Sequence, residues 1–481
     1  MTLKKSTSTL LALALVSELI YWGVFTRLFL LKDLYRIIPP VDYAKLTRYS
    51  TAGIFAFILG ILVLFGIYFW LLREKLPAAT PYIPLIFAGT LFFSYPTLAI
   101  DLFIYAIRTR GWALYHLNPL LTAPAALPAG DPWLKLAAEW INAASPYGPV
   151  WEMLSLSVFN PVNGDFLGHL FALKGVAIAS YLLSIWLIGD ILSVIHPDRK
   201  IWGQVAFAWN PLVLLETAQN AHNDIVMVAL LLASVWAMVR GKDHLSLLFL
   251  ALSVLVKFIT VLFAPFLIAY LTFKLPTKFH RYTAVVWYIG IFALMVVIPI
   301  LPMFPGWDNW ALLQASHGAG RSLMATGVLA LESRLGTNAA FSVMRWTLYG
   351  LWAAIVGWQA WRLYPRLNHL ETPLKLGWTA LFWYVALVAP VFHGWYLLWS
   401  FALAVLFGIQ SREFRATVTF TLTAMLVIPY FETVRVWYPY LLENALLGHI
   451  IGVTLLLLPV LVVYYRPSFV IGHSSFVKRD A

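Results

Sequence analysis

Apolar stretches of about twenty residues recur along the whole chain, and this feature limits the fold more than any other. As helices they are long enough to cross the roughly 30 Å hydrocarbon core of a bilayer. Of the 481 residues, 61% are hydrophobic and 11% are charged, whereas soluble domains carry about 25% charged residues. The sequence therefore predicts an all-α polytopic membrane protein, because lipid leaves only helices and closed barrels as spanning structures.

The hydropathy pattern predicts one integral membrane domain, 1–481, with about 12–14 transmembrane helices and long extracytoplasmic loops. Its predicted parts are two N-terminal helices (1–80), a core (81–410) with outer loops 101–165 and 304–340, and C-terminal helices (411–481). The predicted spans lie near 8–31, 51–72, 81–100, 166–195, 201–219, 223–240, 282–303, 341–361, 374–392, 395–410, 414–431 and 444–465.

The basic residues indicate an orientation. The formal charge is +12, but no basic run stands apart from the apolar segments, so nucleic acid is not an expected partner. Lys and Arg concentrate in short loops, which is typical of cytoplasmic loops, and this places the N-terminus in the cytoplasm of a plasma-membrane protein. The loop 32–50 is an exception, with four basic residues outside. The absence of cysteine excludes disulfides, thiolate metal sites and cysteine nucleophiles.

The segment 244–273 has two possible structures. As one helix it would be about 43 Å long at 1.5 Å per residue and would place Lys274, Lys278 and Arg281 outside. As two short helices meeting at Lys257–Phe258 it returns those residues to the cytoplasm. The charge rule favours the two-helix structure.

Under this topology the polar clusters of the chain fall on the extracytoplasmic side. Asp101, Tyr105 and Arg108 are spaced to share one helix face. The others are His222, Asn223 and Asp224, then Lys257, then His317 and Arg321, and finally His393, Trp395 and Tyr396.

Each of these residues also has an ordinary structural explanation. Asp224 suits the first turn of a helix, and Lys257 could extend to the interface. His393 and Trp395 could belong to an interfacial aromatic belt. Asp101 and Arg321 could be solvated, and Tyr105 and Arg108 could only pack the outer loop.

Taken together, the clusters favour chemistry. A carboxylate beside a histidine suits a general base that accepts a proton from a hydroxyl. Lys, Arg and protonated His suit a phosphate, and aromatic rings suit a sugar or a prenyl chain. A base opposite a phosphate-binding group beside the membrane is what transfer from a lipid phosphate requires.

The motifs, in order, are "DLFIYAIRTRGWALYHLNPL", "SPYGPVW", "AHNDIVMVALLLA", "LSVLVKF" and "FHGWYLLW". Over roughly 95–400, this set resembles the GT-C glycosyltransferases, above all the bacterial and archaeal polyprenyl-phosphomannose-dependent mannosyltransferases. The resemblance implies a GT-C-type bundle and transfer of a sugar from a polyprenyl-phosphate donor to a glycolipid or glycan acceptor outside the membrane. Mannose is favoured only through this likeness.

The resemblance also implies roles for individual residues. Asp101 corresponds to the catalytic base, with His222 and Asp224 as its catalytic partners. Taking the resemblance and the polar clusters together, the predicted substrate-binding residues are Tyr105, Arg108, Asn118, Tyr147, Asn223, Lys257, Arg321, His393, Trp395 and Tyr396. Some GT-C enzymes have paired acidic residues at the first site, but Leu102 follows Asp101 here. A divalent cation, Mg²⁺ or Mn²⁺, would therefore need Asp101 together with Asp224.

The expected mechanism is a single displacement with inversion at the sugar. Asp101 deprotonates the acceptor hydroxyl, and Lys257, Arg321 or His393 stabilises the departing phosphate. Two alternatives stay open: a secondary transporter, which would also hold charges near the membrane midplane, and another lipid-linked glycan transferase or ligase. The identity of the sugar, the acceptor and the linkage is left open by the sequence.

Overall fold

The computed structural model describes residues 2–162, 165–304, 306 and 320–465. His317, one of the candidate residues, and the basic C-terminal end lie outside these residues. The helices of two turns or more are α1 (Thr2–Ile20), α2 (Thr51–Leu71), α3 (Pro84–Phe92), α4 (Asp101–Tyr115), α5 (Pro149–Phe159), α6 (Phe166–Ile195), α7 (Lys200–Ala208), α8 (Asp224–Val239), α9 (Asp243–Val256), α10 (Ala264–Phe273), α11 (Lys278–Ile300), α12 (Leu323–Leu335), α13 (Thr337–Leu363), α14 (Glu371–Trp383), α15 (Leu397–Ala404), α16 (Arg412–Pro429) and α17 (Ala445–Tyr465).

The prediction of an all-α polytopic membrane protein is confirmed. Seven helical stretches in the described part of the chain are long and apolar enough to cross a membrane: Thr7–Thr26, Thr51–Leu71, Phe166–Ile195, Lys278–Met303, Thr337–Arg366, Arg412–Trp437 and Ala445–Tyr465. A bent pair of helices would make eight. The expected 12–14 crossings exceed this number because several predicted spans are interrupted by non-helical backbone and form shorter apolar helices.

Three interruptions matter for the site. The first separates the helical segment Pro211–Gln219 from α8 at a bend of 117°. The second is Lys257, whose backbone is extended (φ −154°, ψ 121°) between α9 and the 3₁₀ turn Phe258–Phe263. The third precedes the turn Gly394–Tyr396, where His393 is extended. Backbone that leaves the helix at membrane depth is tolerated where protein buries it or where it lines a cavity.

The two-helix structure of segment 244–273 is confirmed. Asp243, the first residue of α9, forms an ion pair with Lys274, which directly follows α10. Asp243 also accepts a hydrogen bond from Tyr288 of α11 at 3.2 Å. The two ends of the segment therefore lie side by side, and Lys257 lies at the tip of the turn between the two helices. We call residues 243–274 the Lys257 hairpin.

A buried polar cluster positions the chain in front of α4. Lys174 of α6 is fully buried and donates hydrogen bonds to the backbone carbonyls of Ser94 (2.8 Å) and Gln219 (2.5 Å). The side chain of Gln219 donates in turn to Phe25 O and to Ser94 Oγ. These bonds join the segment that leads into Asp101 to the bend that carries His222.

Candidate active site

A cavity of about 940 Å³ lies where the three interruptions meet. Eight of the expected site residues line it: Asp101, Arg108, Tyr147, Lys257, Arg321, His393, Trp395 and Tyr396. Asp42 and Lys45 line it too, so the loop 32–50, the exception to the charge rule, is on the same side of the protein as Asp101. Four more expected residues, Tyr105, His222, Asn223 and Asp224, are buried. Tyr105, His222 and Asp224 each contact a residue that lines the cavity, and Asn223 contacts Tyr105.

Asp101 stands at the first position of α4 with its carboxylate towards the cavity, and 13% of the side chain is exposed. Its Oδ2 lies 3.5 Å from Nδ1 of the fully buried His222. The other ring nitrogen of His222 lies 3.3 Å from Oε2 of buried Glu216. Neither ring nitrogen makes an aligned hydrogen bond within the described structure, so these are close charge contacts. They form an Asp–His–Glu row that ends at the cavity.

The neighbouring groups keep the carboxyl group of Asp101 ionised. Burial raises the pKa of its carboxyl group, but the imidazole of His222 and the ammonium of Lys257 outweigh burial and hold the pKa of Asp101 below its usual value. A carboxylate that is ionised at neutral pH is able to accept a proton there.

Trp395 organises the two histidines. Its indole stacks on the ring of His222, with ring centres 3.9 Å apart, and on the ring of His393, 4.1 Å apart. Desolvation, with a further contribution from the nearby positive charge of Arg321, lowers the pKa of His393 to about 3. The imidazole of His393 is therefore neutral at pH 7 in this structure, and it can donate a hydrogen bond to a ligand.

Lys257 pairs with Asp224 at the tip of the Lys257 hairpin. Its ammonium donates to both carboxylate oxygens of Asp224, at 2.9 and 3.0 Å, and the indole of Trp399 donates to the same carboxylate. The ammonium also lies 5.7 Å from the ring centre of Tyr147, 5.1 Å from that of Tyr396 and 5.4 Å from that of Trp399. Such an aromatic enclosure stabilises a cation. A lysine has three N–H donors, so one is left for a ligand in the cavity.

The remaining candidates shape the walls. Tyr105 donates to Asn223 Oδ1 at 3.3 Å and packs edge-on against Tyr147. Arg108 donates to the carbonyls of Ala143 and Ala144, at 3.0 and 3.1 Å, which holds the outer loop over α4.

Two expected ligand residues are already engaged within the protein. Asn118 donates to Met303 O at 3.0 Å and accepts from Leu120 N–H at 3.0 Å, so it fixes the outer loop and does not line the cavity. Arg321 forms an ion pair with Glu432.

The structure also bears on the suggested divalent cation. Both oxygens of Asp224 are occupied by Lys257, and one also accepts from Trp399. In the part of the chain that is described, no group of three or more His, Asp or Glu side chains is arranged to hold a metal ion. The donor set therefore does not fit a cation shared by Asp101 and Asp224.

Sequence reasoning missed Glu216, Trp399, Glu432 and Lys174. Glu216 and Lys174 carried a usable signal, since each is a charged residue inside an apolar stretch, where charges are costly and usually functional. Trp399 and Glu432 carried none, because tryptophans are common in this chain and Glu432 follows a span at a position where a solvated charge is ordinary.

A glycine sets the approach of the outer loop to the hairpin tip. The N–H of Gly148 donates to Val256 O at 3.1 Å, and a Cβ at this position would lie 2.0 Å from Leu255 O. We expect Gly148→Ala to push the loop and Lys257 apart, with a stability loss of about 1–3 kcal/mol, typical of overpacking, and a larger loss of activity. Thermal unfolding of the purified protein and a transfer assay measure the two effects. Gly130→Ala, where a Cβ meets open space, is the matched control, and equal behaviour of the two variants would contradict the assignment.

Residues 19–273 match the alpha-(1→6)-mannopyranosyltransferase family, in the part described as its N-terminal domain. The match covers more than half of the chain. The chain belongs to this family.

Two relatives show how far the similarity extends. The chain is 23% identical over 377 residues to alpha-(1→6)-mannopyranosyltransferase A of Mycobacterium tuberculosis, covering 71% of this chain and 68% of that protein. It is 23% identical over 290 residues to alpha-(1→6)-mannopyranosyltransferase B of Corynebacterium glutamicum, covering 54% of this chain and 47% of that protein. The resemblance to membrane mannosyltransferases drawn from the motifs is confirmed, and the protein is a multi-pass membrane glycosyltransferase.

The region that matches the family contains only part of the site. Asp101, Glu216, His222, Asp224 and Lys257 all lie within residues 19–273 of this mannopyranosyltransferase chain. The other wall of the cavity, with Arg321, His393, Trp395 and Glu432, comes from beyond it.

Proposed function

We propose that the protein transfers a mannosyl group from a polyprenyl-phosphate donor to a glycan or glycolipid acceptor on the outer face of the plasma membrane, forming an α-(1→6) linkage. The family supports the mannosyl group and the linkage. The observation that carries the chemistry is the ionised carboxylate of Asp101 in the same cavity as the enclosed ammonium of Lys257. A base and a phosphate-binding cation facing one space are what displacement at a sugar phosphate needs.

In this proposal the acceptor hydroxyl lies at Asp101. Its oxygen attacks the anomeric carbon and forms the new C–O bond while its proton passes to the Asp101 carboxylate. The bond between the anomeric carbon and the phosphate oxygen breaks, and polyprenyl phosphate leaves with the electron pair. The configuration at the anomeric carbon inverts. His222 and Glu216 hold the carboxylate from behind and shield the added proton.

Lys257 suits the departing phosphate for two reasons. Asp224 and the surrounding aromatic rings hold its ammonium group in place. The protein therefore does not have to rearrange when negative charge develops on the departing phosphate. The third N–H of Lys257 is free to meet a phosphate oxygen, and the neutral imidazole of His393 supplies a further hydrogen bond.

The cavity has an apolar arm that suits a prenyl chain. Beyond Lys257 it is lined by Phe258, Ile259 and Leu262 of the Lys257 hairpin, and by Tyr349 and Trp352 of α13. In the span Thr337–Arg366, which contains α13, only 17% of the most apolar stretch is buried in the protein. Most of the surface of this stretch is therefore available to lipid. A lipid-linked donor could enter here from the bilayer with its phosphate towards Lys257.

Incorporation of label tests the proposal. Purified protein reconstituted in liposomes is given radiolabelled polyprenyl-phosphomannose and a short α-(1→6)-linked mannoside, and the product is analysed by chromatography and linkage analysis. We expect labelled, elongated mannoside and stoichiometric release of polyprenyl phosphate. Uptake or flipping of the donor without release of polyprenyl phosphate would instead support the transporter alternative. Polyprenyl-phosphoglucose, used in place of the mannose donor, tests the choice of sugar.

Labelling of single cysteines tests the orientation, since the chain has no cysteine that would give background. Glu139 is exposed beside the cavity, and Glu74 is exposed after α2. In intact cells we expect Glu139→Cys to react with a membrane-impermeant maleimide and Glu74→Cys to react only after lysis. The reverse pattern would place the cavity in the cytoplasm and overturn the proposed location.

A further inference from the structure

Four charged side chains of the cavity lining form two ion pairs, and we call them the rim quartet: Asp42, Lys45, Arg321 and Glu432. Lys45 lies 3.3 Å from Asp42, and Arg321 forms an ion pair with Glu432. These side chains are 22–51% exposed, compared with 13% for Asp101 and 17% for Lys257. The rim quartet is thus nearer to solvent than the reacting groups.

Electrostatic contacts place the rim quartet next to the reacting groups. The charge of Arg321 reaches His393 and contributes to lowering its pKa, and Lys257 acts on both His393 and Asp101. At the other end, desolvation lowers the pKa of Lys45, but Asp42, together with Tyr49 and Glu432, outweighs desolvation and leaves that pKa raised. The groups therefore follow one another from Lys257, past Asp101 and His393, to Arg321 and Glu432, and then to Asp42 and Lys45.

The composition of the rim quartet points to an uncharged ligand. The two carboxylates and two cations leave no net charge, and Glu139, which is exposed and lines the same cavity, adds a third carboxylate, whereas a site for a phosphate has an excess of cations. Carboxylates accept hydrogen bonds from hydroxyl groups, and guanidinium and ammonium groups donate to hydroxyl oxygens. This mixture of acceptors and donors matches the hydroxyl groups of a sugar.

An exposed aromatic ring lines the same cavity. Trp140, in the outer loop between α4 and α5, is 38% exposed and lines the cavity. A large apolar side chain left open to solvent in a cavity wall is suited to pack against the apolar face of a sugar ring.

We propose that the rim quartet and Trp140 form the acceptor subsite, which binds an uncharged, hydroxyl-rich glycan and directs its terminal hydroxyl to Asp101. This inference rests on the proposed function and adds the place and chemical class of the acceptor. The donor occupies the opposite arm of the cavity, with its phosphate at Lys257. The subsite therefore acts on the acceptor alone.

Initial rates with each substrate varied in turn test the subsite. The full-length protein in detergent is assayed with an octyl α-(1→6)-dimannoside as acceptor and polyprenyl-phosphomannose as donor. For Glu432→Gln and for Trp140→Ala we expect the acceptor KM to rise about tenfold or more, the effect of losing a charged hydrogen bond or a packed ring. The donor KM should stay within about twofold, since no donor contact is lost. Trp140→Phe should restore most of the acceptor affinity.

Matched controls lie on other surfaces. Glu443→Gln removes an exposed carboxylate just beyond the cavity helices, and Trp361→Ala removes a ring that is 74% exposed on α13; both should leave each KM unchanged. Trp140 is exposed, so Trp140→Ala keeps the test valid if Glu432→Gln does not fold.

The outcomes separate the two proposals. A wild-type protein that transfers no mannose to any acceptor refutes the proposed function, and the subsite falls with it. An active wild type whose variants keep the same acceptor KM refutes the subsite alone. A rise in donor KM in both variants assigns the rim quartet to the donor and also overturns the inference.

Discussion

Asp101→Asn should lower the rate of mannosyl transfer by about 10²–10⁴-fold, the usual contribution of a general base. Asparagine keeps the size of the side chain but has no basic oxygen to accept the proton of the acceptor hydroxyl. The donor should still bind, because Lys257 and the apolar arm are unchanged. Single-turnover rates and a separate measurement of donor binding, both on reconstituted protein, give the two quantities.

The control for Asp101→Asn is Asp198→Asn. Asp198 is 77% exposed and lies outside the cavity, so its loss should not change the rate. Both variants should elute as the wild type does on size exclusion. An Asp101→Asn protein that folds and transfers at the wild-type rate would rule out Asp101 as the base.

The second large effect concerns the buried ion pair. We expect Lys257→Met to destabilise the protein by about 3–5 kcal/mol, because it leaves the carboxylate of Asp224 buried without its cation. Lys257→Met combined with Asp224→Asn should recover much of that stability, since the uncompensated charge is then gone. Transfer activity should remain lost in both, because neither variant has the ammonium that meets the phosphate. Thermal unfolding in detergent and the transfer assay report on these separately.

An exposed ion pair provides the comparison. Lys375 and Glu371 lie 3.3 Å apart with 36% and 48% of their side chains exposed, and Lys375→Met should cost no more than about 1 kcal/mol. The double variant at positions 257 and 224 is decisive. If it transferred mannose at the wild-type rate, Lys257 would be a structural residue and the phosphate site would have to lie elsewhere.

Much of the site was predictable because charges in an apolar chain stand out. Asp101, Lys257 and the His222–Asp224 cluster are conspicuous where lipid favours apolar side chains, and the charge rule predicted them on one side of the membrane; the structure brings them together at one cavity. The same rule predicted the Lys257 hairpin, which the Asp243–Lys274 pair confirms. Partners were harder to predict. Asp224 was expected to be a catalytic partner of Asp101, and nothing in the sequence indicated its ion pair with Lys257, 33 positions later in the chain.

The helix count shows a second limit. Hydropathy averages over a window, so it detects an apolar stretch without detecting where the backbone leaves the helix. The interruptions at Asn220–Asn223 and Lys257 and before Gly394 depend on whether backbone groups find partners in neighbouring segments, as Gly148 N–H does at Val256 O. Those partners are distant in sequence.

The sequence by itself determined that the protein lies in lipid, that it is helical and that its polar residues gather on one side of the protein, since these follow from the cost of placing charges and bare backbone groups in lipid. Only the tertiary structure decided which charges pair and which face the cavity. It placed Glu216 behind His222, joined Asp224 to Lys257, and brought Glu432 to Arg321 across 111 positions of the chain. Electrostatic interactions act over a few ångströms, and those separations are set by helix packing rather than by the spacing of residues along the chain.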